Sequence, residues 1–574
     1  MITLGINAAF HDSAACLVRD GRVIAAAEEE RFSRIKHAKR PTPFSAYEIP
    51  HNAIHYCLKE AGLHLNDVDH IAYSFNPYLL LGETRHDASI TLPLEPSAHP
   101  KPQEWISVWD PLFLSSIVNA PRHLIGGFPH HLRDRFEGCR LHDPWRWHFV
   151  PHHLAHAASA FLPSPFQEAA VLTLDGRGER ATTAYVAGTG SELRTIGEVC
   201  FPHSLGLLYE KITAHLGFLH SSDEYKVMAL ASYGQPGYAD EFRDIVRLGS
   251  NGLYTIADFD PVARFGPKRD PGTELEQRHF DIARSLQTVL EETVLSLCDW
   301  LKQATGFDNL CLAGGVALNC VMNSRIRDDG PFRNVWVQPA AGDAGTALGA
   351  ALWIDSRERK ETAKPEPMEH CYLGPEYSDS EIEDFLRRSK LPYRRSKRPS
   401  EEAAELLAQG RVLGWFQGRM EFGPRALGAR SILATPTDES VRGVLNCIKD
   451  REDFRPVAPC VIEEKAAEWF FHTGPSPFML FVSKVRPEKA AQIPAARHVD
   501  DTARVQTVNR RRNPLFYDLL RAFERRTGVP VLINTSFNIR GEPIVCSPRD
   551  AIAAFATSPL DGLVIGSFLL EKRA

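Results

Sequence analysis

The sequence predicts a mixed α/β protein of two domains, and three observations carry that prediction. Residues 2–28 alternate apolar, strand-like runs with short polar turns, and the second turn is Asp20-Gly21, a pair suited to a two-residue hairpin. Twice later an apolar run enters a small-residue turn and leaves it as a helix: residues 309–313 into Gly314-Gly315, and residues 335–337 into the Pro339-to-Gly345 loop. From Asp355 to Pro367 the composition shifts to charge and proline, which places a boundary there. The expected division is a domain at 1–355, a linker at 356–371 and a second domain at 372–574.

The chain has 574 residues, enough for two or more sizeable cores. It is 43% hydrophobic and 24% charged, the balance of an ordinary soluble enzyme. A net charge of -6 and a pI near 6.5 give no general attraction to nucleic acid or anionic membranes, so neither is expected as a partner. No apolar run reaches spanning length and the first residues lack a secretory pattern, so the cytoplasm is the expected compartment. The 11 cysteines are scattered without a C-x-x-C pair, which speaks for reduced thiols and against a cysteine-built zinc site. No internal repeat is evident.

In order, the first turn carries His11 and Asp12, candidates for acid, base or substrate ligand. Hairpins of this kind open the actin-like fold, where the first turn faces a nucleotide's phosphates. The basic cluster R-F-S-R-I-K-H, ending in Lys36 and His37, reads as a solvated loop. Residues 47–62 have helical periodicity and 68–75 a strand pattern. Residues 76–147 have no clear period and carry Trp105, Trp109, Trp145 and Trp147; this long irregular stretch is a candidate for acceptor recognition, with His130-His131 at its surface.

The centre of the chain is the stretch 150–179. Pro151 marks a helix start, and His152 and His156 lie four apart, on one helix face, as a divalent transition metal requires of two imidazoles. No glutamate lies between them, which disfavours a protease helix of the H-E-x-x-H type. The following apolar run ends in Asp175 and drops into Gly176-Arg-Gly, a strand delivering a carboxylate into a permissive loop. Strands follow at 181–186 and 193–199, then a helix with Leu207, Leu208, Ile212 and Leu216 inward. Lys226 heads an apolar helix, where a cation opposes the dipole unless an anion is near, so it is a phosphate-side candidate. A long helix spans 279–305. The Gly314-Gly315 turn and the helix reached at Asn319 offer backbone N–H groups to a nucleotide. Asp343 is a second strand-end carboxylate; with His152, His156 and Asp175 it makes a mixed N/O set suited to iron, manganese or zinc.

Beyond the linker, a helix at 400–409 and a strand at 412–416 precede a series of arginine-bearing loops: Arg419, Arg425 and Arg430; Lys449, Arg451 and Arg455; Arg504; Asn534, Asn538 and Arg540. Arginines beside turn residues at several strand ends build an anion pocket, whereas Arg510 to Arg512 read as solvated.

Taken with the strings F-H-D-S-A-A, E-E-E-R-F-S-R-I-K-H, H-H-L-A-H-A-A-S-A, L-D-G-R-G-E, K-V-M-A-L-A-S-Y-G, A-G-G-V-A-L-N, G-P-R-A-L-G-A-R-S, K-D-R-E-D-F-R-P-V-A-P and N-T-S-F-N-I-R-G-E-P-I-V, the whole chain resembles the O-carbamoyltransferases of natural-product and Nod-factor biosynthesis. The resemblance implies an actin-like (ribonuclease H-like) two-lobed N-terminal domain related to tRNA threonylcarbamoyltransferase, and a C-terminal α/β domain related to threonylcarbamoyl-adenylate synthase. It implies that the C-terminal domain makes carbamoyl adenylate from carbamoyl phosphate and ATP with Mg, and that the N-terminal domain passes the carbamoyl group to a hydroxyl of a small molecule, as in antibiotic biosynthesis. By motif, His152, His156, Asp175 and Asp343 would hold one divalent metal, Fe(II) ahead of manganese or zinc. Gly314, Gly315 and Asn319 would line the adenylate, with Lys36, Lys226 and Gly176 on the same nucleotide side. Lys449, Arg425, Arg455, Arg504 and Asn534 would serve the adenylation pocket, with Arg540 a weaker member, while His11 or Asp12 would accept the proton of the acceptor's hydroxyl. An actin-like sugar kinase leaves the His pair and the arginine loops idle; a tRNA-modifying enzyme sits poorly with an acidic chain; a degenerate scaffold predicts lost pocket residues.

Overall fold

The structure is a computed structural model describing residues 1–38, 49–80, 88–91, 110–126, 145–359, 364–471, 474–539 and 541–572. The first sheet contains β1 (Ile2–Asn7), β2 (Ala14–Arg19), β3 (Arg22–Glu28), β4 (His70–Tyr73), β5 (Ala88–Thr91) and β6 (Arg146–Phe149), in the order β3-β2-β1-β4-β6-β5. The three opening strands are antiparallel, then β4 and β6 run parallel to β1. Asp20 and Gly21 both take positive φ, +48° and +79°, so the predicted hairpin is formed.

The second sheet repeats this plan. It contains β7 (Glu168–Leu174), β8 (Ala181–Thr189), β9 (Glu192–Cys200), β10 (Asn309–Ala313) and β11 (Asn334–Val337), in the order β11-β10-β7-β8-β9. Again three antiparallel strands are followed by two parallel ones. This doubled order is the two-lobed actin-like plan, so a repeat does exist here that no residue pattern revealed. Among the described residues, no helix is long and apolar enough to cross a membrane.

Four helices place the chemistry: α1 (His152–Phe161), α2 (Glu224–Leu230), α3 (Cys320–Asp329) and α4 (Ala344–Glu358). Helix α1 follows the last core strand of the first lobe, and α4 follows the last strand of the second. The two cross in a layer of small residues, where a Cβ on Gly349 would collide with the Ala155 carbonyl oxygen, so the close crossing requires glycine. Helix α4 runs past the boundary expected at Asp355, whose side chain is buried.

A third, eight-stranded sheet is built between Arg394 and Glu571 and shares no strand with the first two. The basic cluster is not solvated. Arg31, 3% exposed, donates to Glu28 (3.2 Å) and to the Gly423 carbonyl oxygen (2.9 Å), and the Gly423 N–H donates to Glu28 (2.8 Å). Arg34 donates to the carbonyls of Ile544 (2.6 Å) and Pro543 (2.8 Å). These arginines fasten the N-terminal lobes to the third sheet. Of the irregular stretch 76–147, Trp105, Trp109, His130 and His131 lie outside the described residues, while Trp145 and Trp147 are fully buried in the first lobe's core rather than offered to an acceptor.

Candidate active sites and their junction

The four metal candidates converge. Pro151 precedes α1, and the helix carries His152 and His156 side by side with their Nε2 atoms 3.1 Å apart. Asp175, just past β7, has Oδ2 at 3.3 Å from His152 Nε2 and 4.0 Å from His156 Nε2. Asp343, the residue just before α4, has Oδ1 at 3.7 and 3.6 Å from the same two nitrogens. An ion bound at roughly 2.0–2.2 Å spaces its ligands about 3.0–3.6 Å apart, so the cage is close to the size an ion needs. All four residues are buried, and both Asp343 oxygens have no hydrogen-bond partner, a costly state for a carboxylate unless a cation fills the cage.

The electrostatics agree. Burial works against a charged His152, but Asp175, Asp343 and Glu179 outweigh it and hold the imidazole up to about 9, so the cage attracts positive charge. Asp175 is held below the carboxylate range despite its burial, by His152 and His156. Its Oδ1 accepts the Gly315 N–H at 2.7 Å, leaving Oδ2 for the cage. Gly314 makes that approach with φ +92°, where a side chain would strike the Leu174 carbonyl. Glu179 accepts the His152 backbone N–H (2.9 Å) and that of Asn76 (2.7 Å), which caps α1 beside the cage. His153 points away to Thr173 Oγ1 (2.7 Å) and is pushed down to about 3 by burial and by its two histidine neighbours.

His11 and Asp12 border this centre. His11 Nε2 is 3.8 Å from Asp343 Oδ2, while its Nδ1 bonds Asp12 Oδ2 at 2.9 Å. Asp12 Oδ1 bonds His37 Nδ1 at 2.8 Å. Gly176 follows Asp175, and a Cβ there would meet the Leu207 and Glu210 side chains only at ordinary contact distance, 3.8 Å. Asn319 caps α3 through Met322 N–H (3.0 Å) and exchanges hydrogen bonds with Gln287, so its side chain serves the fold.

The second centre is cationic. Lys449 is buried and donates to Ser536 O (2.6 Å), Ser536 Oγ (2.7 Å) and Asn538 Oδ1 (2.6 Å). Burial, then Arg451, Arg455 and, from the N-terminal lobe, Lys36, lower its pKa well below that of an ordinary lysine. Arg425 is pushed down to about 9 by burial and Arg504, and Arg451 to about 9 by burial, Arg455 and Arg504. Nitrogens of Arg425, Arg451 and Arg504, and the Asn534 carbonyl oxygen, are buried without partners. So many crowded cations with idle N–H groups form a socket for an anion.

Helix α2 closes this socket from the other side. The Arg455 guanidinium lies over the Tyr225 ring at 4.7 Å. Lys226 is not a free phosphate ligand: it bonds Glu452 (2.8 Å) and Asp223 (3.1 Å), tying α2 to the third sheet. Arg419 and Arg430 also stand apart from the socket. Arg419 donates to the carbonyls of Gly374, Leu373 and Ile24; Arg430 donates to those of Gln417, Gly418, Ala429 and Pro375 and lies over Phe416. Both are structural ties. Arg540 lies outside the described residues.

The sequence profile described as "Carbamoyltransferase N-terminus" matches residues 2–84 and 131–352, and that described as "Carbamoyltransferase C-terminus" matches 404–572. The chain belongs to the carbamoyltransferase family. Both centres lie within the matched ranges, and residues 85–130 lie between them unmatched. Relatives across this family include nodulation protein NolNO of Sinorhizobium fredii, 42% identical over 99% of this chain and 80% of that protein. Nodulation protein U of Rhizobium tropici is 30% identical over 98% and 95%. An uncharacterized protein of Synechocystis is 42% identical over 100% and 97%. Among solved structures, HypF in its phosphate- and nucleotide-bound form aligns at 11% identity and a TM-score of 0.33, over 63% of this chain and 56% of that one, too loose to bear on function. This carbamoyltransferase is thus an enzyme with a cationic socket and a His/Asp cage on one chain.

Proposed function

We propose that this carbamoyltransferase makes carbamoyl adenylate from carbamoyl phosphate and ATP with Mg in the cationic socket, releasing phosphate and pyrophosphate, and transfers the carbamoyl group to a hydroxyl of a small natural product at the His/Asp cage. The observation that carries the reading is the socket: Arg425, Arg451 and Arg504 keep buried nitrogens unpaired around Lys449 and Arg455, a charge excess suited to the phosphates of a nucleotide and of carbamoyl phosphate. A carbamate is a poor acyl donor, so activation as a mixed anhydride with AMP supplies the leaving group. Arg425 and Arg504 neutralise the phosphate charge that develops, while Arg455, held over the Tyr225 ring, orients it. In the cage, His152, His156, Asp175 and Asp343 are the ligands of one divalent ion, for which iron(II), manganese and zinc all suit the N/O set; when bound, it polarises the carbamoyl oxygen. The Gly315 N–H lies beside the cage, bound to Asp175, and both centres being on one chain favours a protected transfer of the adenylate.

The test is pyrophosphate release from ATP, Mg and carbamoyl phosphate without an acceptor. Wild type releases it only with carbamoyl phosphate; Arg455→Ala falls at least about a hundredfold; His152→Ala retains it. Silence of wild type carrying its metal, or ATP turnover stimulated by sugars and indifferent to carbamoyl phosphate, sinks the reading.

A further inference from the structure

Asp12 holds two imidazoles, one facing the cage and one facing the junction with the third sheet. His37 Nδ1 is 2.8 Å from Asp12 Oδ1, and His37 Nε2 is 3.0 Å from Ser222 Oγ. An ionised carboxylate only accepts, so Nδ1 carries the proton and Nε2 presents its lone pair to a hydroxyl. A hydroxyl on a base, itself aligned by a carboxylate, is the arrangement that strips a proton from an attacking oxygen. The backbone is bent to make it: Asp12 and His37 take left-handed φ of +52° and +59°, unusual for residues with side chains and characteristic of positions the surroundings force. The nearby Glu30 is engaged elsewhere, accepting the His37 backbone N–H (2.7 Å) and pairing with Arg31 (3.1 Å).

The position is as telling as the geometry. Ser222 lies on the segment that lines the third sheet: Phe218 touches Phe454, Tyr225 lies under Arg455, and Lys226 bonds Glu452. From the same Asp12, His11 reaches to 3.8 Å from Asp343. The pair His37–Ser222 therefore sits between socket and cage. Ser222 is ill suited to take the carbamoyl group itself, because a serine carbamate has no better leaving group than the product. Its hydroxyl is a stand-in for another.

We propose that His37, oriented by Asp12, is the general base for the acceptor hydroxyl, and that Ser222 Oγ holds the acceptor oxygen's place. The acceptor O–H gives its proton to His37 Nε2 as its oxygen bonds the carbamoyl carbon; the bond from that carbon to the AMP phosphate oxygen breaks, and its electron pair leaves with AMP. His37 then returns the proton to solvent. The assignment rests on the carbamoyl-adenylate reading and deepens it.

Wild type, His37→Gln and His11→Gln are given ATP, Mg and carbamoyl phosphate. Pyrophosphate is measured, along with carbamoyl transfer to molar glycerol, a hydroxyl that needs a base, and to hydroxylamine, which attacks without one. His37→Gln is expected to keep pyrophosphate release and hydroxyurea formation, and to lose glycerol carbamoylation by roughly a hundredfold or more. A misfolded or merely loosened site would lose both products together. Equal glycerol carbamoylation in wild type and His37→Gln, zero included, overturns the assignment, as does joint loss of both products or the same split in His11→Gln instead. Absence of pyrophosphate from wild type brings down the adenylation reading and this assignment with it.

Discussion

At the scale of the residue, Asp343 is the most informative side chain. Both its oxygens are buried without a hydrogen bond, close to a second carboxylate on Asp175. An ion in the cage would offset that cost, and only while it is bound. Asp343→Asn should therefore lose most bound metal by elemental analysis, yet melt higher than wild type once both are stripped with a chelator. Adding metal back should raise the wild-type melting temperature and leave the variant's unmoved. A variant less stable than wild type in the stripped state would contradict the unpaired-charge account. The four cage residues were legible in the chain because each sits at a readable spot: two imidazoles one helical turn apart, one carboxylate just past a strand, and one in the small-residue turn that leads from a strand into a helix. Ser222 and Tyr225 were not. A lone serine has no pattern, and its partner His37 is 185 positions away. The arginines were legible as a class but not singly. Whether a guanidinium meets a phosphate or a ring of carbonyls, as Arg430 does, depends on loop paths that residue type does not encode.

At the scale of the element, β4 and β6 bring His70 and His148 together, with Nδ1 of His70 at 3.0 Å from Nε2 of His148. Burial lowers both, His148 to about 3. In the unfolded chain His148 returns to an ordinary value near 6.5, so between about 6.5 and about 3 the unfolded state binds the extra proton. Stability should fall as pH drops through that window, by a few kcal/mol in all, and His148→Gln should flatten the slope in urea titrations at successive pH values. An unchanged slope would show that His148 takes its proton without unfolding. Hairpin and helix starts were readable at this scale, since Asp20-Gly21 and Pro151 act locally. The doubled strand order was hidden. It resides in hydrogen-bond pairing, and the second copy is split by the helices inserted between β9 and β10.

At the scale of the whole molecule, the basic cluster after β3 is a fastening. Arg31 is buried between Glu28 and the Gly423 backbone, and its removal leaves Glu28 buried without its cation. Arg31→Ala should cost about 3–5 kcal/mol in chemical denaturation. Arg34→Ala, from a more exposed position, should cost less. Amide exchange should then speed up first along 421–430 and 543–545, the strips the two arginines hold. Exchange that quickens evenly over the chain would point to general destabilisation.

The crossing of α1 and α4 also decides what each lobe contributes. The lobes follow one plan, and these helices occupy the same place in each, so the cage lies where the two lobes face each other. The lobes do not contribute alike: the first brings the two nitrogens of α1, the second the two oxygens of Asp175 and Asp343. A single lobe holds half a set of ligands, too few to keep an ion. A complete set of donors therefore exists only while the two lobes face each other, so any motion that parts them would open a cage built on it.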